Sequence, residues 1–191
     1  MYNTPRFPDL ENRLANLKGL DGGASIKVTG PNGTQNIALN GDDVTLAPGT
    51  FIAPGTYTFT GTGGANVGSI DASLTVPPPA VISGLTGGNL TVTRANGVTV
   101  NWTGGTVGSI VRVVGRHTTD ASNAAGMSFR CYAAANANTL AIPPSVTLSI
   151  PAGNFGGWDF KNYSSGTFTA TGFGLGNLEV TFDTPIFTTI Q

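Results

Sequence analysis

The sequence predicts an all-β fold, and three observations carry that expectation. From Ala24 onward apolar residues recur with a period of two, Gly, Pro or Asn stands at nearly every junction between runs, and the runs are rich in β-branched residues. Strands alternating with amphipathic helices would imply a helix-crossed parallel sheet; the pattern here is that of a sandwich or barrel.

One helical signal precedes the strands. Leu10, Leu14 and Leu17 recur at spacings of four and three, Asp9 is placed to cap the first turn and Gly19 to end the last. Beyond it Ile26 and Val28 alternate with Ser25, Lys27 and Thr29, and the turn sequences Pro31-Asn32-Gly33 and Asn40-Gly41-Asp42 follow at hairpin spacing. On the same grounds strands are expected over residues 25–29, 35–39, 43–46, 55–61, 68–76, 89–94, 97–103, 109–116, 127–133, 138–142, 145–150, 166–172, 177–183 and 186–190. Pro77, Pro78 and Pro79 remove ladder donors and favour an extended polyproline conformation, which marks the clearest internal boundary. The expected organisation is an N-terminal arm and short helix over residues 1–22, a small β-sandwich subdomain over 23–78, a Pro/Gly linker over 79–88 and a larger β-sandwich domain over 89–191. By size scaling the first sandwich is marginal alone, so the two are expected to pack together.

Composition limits the chemistry. Only 10% of the 191 residues are charged, with one His and one Cys, whereas Gly numbers 28. Acids, bases, nucleophiles and metal cages need titratable groups held close together, so the chain is expected to be non-enzymatic and to use no cofactor. Nine basic and ten acidic side chains give a net charge of −1 with no basic run, which excludes nucleic acid as the main partner. No stretch approaches the roughly 20 apolar residues of a membrane span. The opening residues Met1 to Pro5 have neither the basic start nor the apolar stretch of a secretion signal.

The segments IKVTGPNG, APGTYTFTGTGGANVGSIDASLTVPPP, LTVTRANGVTVNWTGG, SFRCYA and IPPSVTLSIPAG, in that order, resemble the C-terminal β-rich region of uncharacterised exported proteins of the acidobacterial type. The resemblance runs from about Ala24 to Gly153. It implies a secreted or surface-attached immunoglobulin-like module, and it brings no catalytic or binding residues with it. The Leu-rich start and the stretch NFGGWDFKNY depart from that pattern.

Candidate reactive groups are few. His117, the sole imidazole, follows the apolar run Ile110 to Arg116 and is expected at a strand end or in the loop after it, on the surface. Neither G-x-S-x-G nor S-x-x-K occurs, so the two commonest serine-nucleophile signatures are absent. Cys131 shares a strand face with Phe129 while Arg130 points the other way, which reads as a core thiol. One His and one Cys cannot build a structural zinc site. Asn40, Asp42 and Asp43 form the tightest acidic cluster, but without the spaced acidic ligands of a calcium loop they read as a hairpin turn. Glu11 and Glu179 are the only glutamates, and no sequence motif gives positive support for a carboxylate pair of the glycoside-hydrolysis kind. The Gly-rich stretches Gly61 to Gly68 and Gly172 to Asn177 run into strands rather than helices, so they read as turns and bulges, not phosphate loops. Lys27 alternates with Ile26 and Val28 and faces solvent, against a Lys–Asn cross-link.

One stretch has the composition of a ligand site. Trp158, Asp159, Phe160, Asn162 and Tyr163 combine flat rings that stack on sugars with polar groups that bond hydroxyls, in a Gly-flanked segment read as a loop. Against this, Trp158 and Phe160 at a spacing of two share one side of an extended segment, as core residues do; Trp102 likewise belongs to a core face with Val98 and Val100. The favoured function is an extracellular or cell-surface structural or interaction module, pairing with protein partners or itself through sheet edges, with a fibre or other surface assembly as the structure it would join. A carbohydrate-binding module using the Trp158 segment, and a hydrolase built around His117, are the alternatives.

Overall fold

The computed structural model describes residues 20–39, 51–85, 88–120, 126–153 and 155–191. These are predominantly strand and form three sheets, as the period-two pattern requires. The first sheet holds β1 (Ser25–Gly30), β2 (Gly33–Ala38), β3 (Gly55–Gly61) and β4 (Ile70–Val76) in the order β2-β1-β3-β4, all antiparallel. The second holds β5 (Val81–Ser83), β7 (Val98–Thr103) and β10 (Thr139–Ile142), with β7 central. The third holds β6 (Asn89–Val92), β8 (Ile110–Thr118), β9 (Gly126–Ala134), β11 (Gly156–Ala170) and β12 (Phe173–Ile190) in the order β6-β12-β11-β8-β9. Only β6 joins it in parallel.

The long hairpin of β11 and β12 ties the three sheets together. Because strand side chains alternate between faces, its even-numbered residues point to one side as far as the register shift between Phe168 and Ala170, beyond which Phe173 pairs with Ala170. Near the open end Trp158, Phe160, Ile186 and Ile190 bury against Val100, Trp102 and Ile142 of the second sheet. Midway, Val180 and Phe182 pack on Val28, Tyr57 and Val76 of the first sheet; towards the tip Phe168, Ala170, Phe173 and Leu178 meet Val67, Ile70 and Ala72. One face of the hairpin thus contributes to three buried clusters. The loop before β4 grips the hairpin tip: the Gly68 N–H donates to the Thr171 carbonyl at 2.7 Å. Gly172 turns the chain there at φ +78°, and a Cβ on it would fall 2.2 Å from the Asn66 carbonyl oxygen, so only glycine fits.

Most expected strands stand at or near their expected places, β3 at residues 55–61 among them. Residues 145–150 are a correction: Pro144–Thr147 form one α-helical turn rather than a strand. Pro144 occupies the first helical turn, where its missing N–H is harmless and its fixed φ suits the helix, and the Thr147 hydroxyl donates to the Arg94 carbonyl at 2.7 Å. Three expected C-terminal segments also merge. Residues 177–183 and 186–190 belong to one strand, and 166–172 continue β11 as far as Ala170. Pro185 does not break β12, whose outer flank has no strand partner among the described residues until β6 joins at Phe187. The helix expected around Leu10 to Leu17, strand 43–46 and the Asn40-Asp42-Asp43 cluster lie outside the described residues.

The main core contains Trp102, Trp158 and Phe160. Trp102 donates its ring N–H to the Ala135 carbonyl at 2.6 Å, and its ring centroid lies 5.7 Å from that of Phe160. Phe129 meets Trp158 edge-on at 4.9 Å and 82°, a favoured aromatic geometry. Cys131 packs half-buried against this core on the face of Phe129.

Candidate functional site

The stretch read as an aromatic loop is the first half of β11, the central strand of the third sheet. Trp158 and Phe160 are each 1% exposed, so neither presents a face on which a sugar could stack. Asn162 is equally buried: its side-chain oxygen accepts from the Ala80 N–H at 2.9 Å and its amide donates to the Ile110 carbonyl at 3.2 Å. Ala80 follows the three prolines, which have no N–H, so Asn162 satisfies the first donor of the segment entering the second sheet. Asp159 and Tyr163 have the opposite parity and face outward.

His117 corrects the surface expectation. Alternation along β8 places it with Val111, Val113 and Gly115 on the core face, where it is fully buried. Its Nε2 lies 2.6 Å from the Thr188 hydroxyl oxygen of β12. Burial holds the imidazole pKa below its ordinary value. Its other ring nitrogen has no partner among the described residues, so the ring meets a hydroxyl but no carboxylate there. Cys131 is held the other way, its thiol pKa raised by desolvation, which disfavours the thiolate.

The outer face of the third sheet carries the charge. Register places four rows across β9, β8, β11 and β12: Ser128, Arg116, Gly157 and Phe187; then Arg130, Val114, Asp159 and Pro185; then Tyr132, Arg112, Lys161 and Asp183; then Ala134, Ile110, Tyr163 and Thr181. Four of the chain's nine cations stand on this one face. Lys161 pairs with Asp183 directly across the strands, and Arg112 lies 5.6 Å above the Tyr163 ring. Arg116 and Arg130 have no ion-pair partner among the described residues. Beside Arg116 a depression of about 370 Å³ is lined by Thr118, Phe155, Gly156 and Gly157 as well.

Of the residues expected in a ligand site, Asp159 and Tyr163 lie on this outer face; Arg116, Gly157 and Phe187, which the sequence did not single out, join them there only through strand register. The alternation that made Ile110 to Arg116 a strand already set Arg116 opposite in facing to His117. Among the described residues no three His, Cys, Asp or Glu side chains gather to hold a metal ion, and no helix is long and apolar enough to cross a membrane. No protein-family model matches the sequence, and neither a curated protein nor a solved structure matches it.

Proposed function

We propose that the chain is a non-enzymatic structural or interaction module of immunoglobulin-like β-sandwich type, working outside the cell or at its surface and self-associating through its sheet edges. The observation that supports this best is β9. It is an edge strand of nine residues with a single charge, Arg130, and no proline, and its Met127 and Tyr132 side chains are exposed. Edge strands in monomeric proteins are ordinarily shortened, charged, bulged or covered, because an unpaired row of N–H and C=O groups templates another strand. A nine-residue edge that, among the described residues, carries one charge and no proline, bulge or covering element suits pairing with a second chain, as in β-augmentation. The six-residue, uncharged β2 is the corresponding edge of the first sheet and offers a second contact, enough to extend an assembly beyond a dimer. The resemblance to exported proteins supports the location.

Electron micrographs of the purified protein over a concentration series test the proposal. Filaments, lattices or concentration-dependent oligomers are expected; uniformly dispersed monomers at every concentration would contradict it.

A further inference from the structure

We infer that the gap over Gly157, between Arg116 and Phe187 on the outer face of the third sheet, is a binding site for an acidic saccharide residue such as a uronate. It lies on different strands from β9 and does not depend on edge pairing.

Gly157 stands directly between the two residues in register, Arg116 on β8 and Phe187 on β12. Neighbouring strands lie about 4.8 Å apart, so the two flanking backbones are about 10 Å apart with no side chain between them. Phe187 is 71% exposed, and Phe155 adds a second exposed ring at the edge of the depression. The fold itself does not demand glycine at position 157. Its φ is not in the left-handed region, and among the described residues a Cβ there would meet only the Ile186 carbonyl oxygen, at 3.4 Å. Glycine inside a strand weakens it relative to alanine and often marks a place where a ligand approaches the backbone closely. Gly115 and Gly172, by contrast, are imposed by neighbours that a Cβ would strike.

The flanking groups select the ligand class. An exposed ring takes the C–H face of a pyranose, and a guanidinium takes a carboxylate through paired N–H donors. Asp159 is the next residue along β11 on the same face, about 7 Å from Gly157. Its carboxylate accepts from sugar hydroxyls and repels a plain polyanion. A sugar that carries both hydroxyls and a carboxylate satisfies Arg116 and Asp159 together, which neither a neutral glucan nor an acidic peptide does.

Calorimetric titration of the whole chain with a galacturonate oligosaccharide, a dextran oligosaccharide and polyglutamate decides the matter. Binding of the galacturonate is expected, with dextran and polyglutamate each at least about tenfold weaker. Gly157→Val, which fills the gap, Phe187→Ala and Arg116→Gln are each expected to weaken galacturonate binding by about tenfold or more while circular dichroism stays unchanged. Failure to bind galacturonate overturns the inference. Polyglutamate binding as tight as galacturonate reduces the face to a charge patch, and equal dextran binding removes the role of Arg116; either result overturns it. Should Gly157→Val fail to fold, wild-type affinity in Phe187→Ala and Arg116→Gln overturns it equally. Sedimentation of the same samples reads self-association separately, so either proposal can fail alone.

Discussion

His117 and Thr188 bond across a strand that lies between them. Their strands, β8 and β12, flank β11, and the residue of β11 opposite His117 is Gly156. A Cβ there would fall 2.9 Å from the imidazole ring carbon Cγ, so the missing side chain opens the path. Replacing Thr188 with Val leaves a buried ring nitrogen unpaired, a loss of roughly 1–3 kcal/mol that denaturant unfolding would register.

The same pair sets a pH dependence. Burial lowers the folded pKa of His117 below 6.5, so in the acid range the unfolded chain binds the extra proton first. Stability from this group is complete above about pH 6.5 and declines as pH falls through that value towards the lowered folded pKa. Asp21 acts in a separate, more acid window. Its carboxylate accepts from the Ala65 and Gly23 N–H groups, which lowers its pKa from 3.8. Unfolding midpoints are expected to fall between about pH 7.5 and pH 5 in the wild type, and His117→Gln to flatten that decline.

Asn162 is expected to matter for stability rather than for ligand binding. Asn162→Leu orphans the Ala80 N–H and the bond to the Ile110 carbonyl, and a loss of roughly 1–3 kcal/mol is expected in chemical denaturation. Affinity for any saccharide should be unaltered in the folded fraction.

Gly115 is imposed by packing. A Cβ there would lie 2.1 Å from the Phe129 ring and 2.8 Å from the Trp158 ring nitrogen. Gly115→Ala forces that aromatic pair apart, and the expected cost is roughly 1–3 kcal/mol, with a change in tryptophan fluorescence.

Cys131 is expected to react slowly with a disulfide reagent in the native protein and rapidly in denaturant. Desolvation raises its pKa and its side chain packs against the main core, so thiolate is scarce at neutral pH. Stopped-flow labelling across the unfolding transition reads the ratio directly.

Much of this fold was legible because strands with one buried face declare themselves by alternation. Residues 55–61 alternate cleanly between glycine-marked ends, and Trp158 with Phe160 disclosed a core face by spacing alone. Long-range pairing was not legible. The continuity of β12 through Pro185 depends on where β6 joins it, and the burial of His117 depends on Thr188 and Gly156, far away in sequence. The outer-face gap is hidden for the same reason: Arg116, Gly157 and Phe187 become neighbours only once the register of three strands is known. Residues 145–150 misled because their β-branched content outweighed a proline pair that starts a helical turn.

Association through β9 is decided by sedimentation velocity on wild type and a Met127→Lys, Tyr132→Lys double variant. Both positions are exposed, so the added charges guard the edge without disturbing the core. Wild-type sedimentation coefficients are expected to rise with concentration while the double variant stays monomeric. A wild type that remains monomeric throughout, or a double variant that associates as the wild type does, would rule out pairing through this edge.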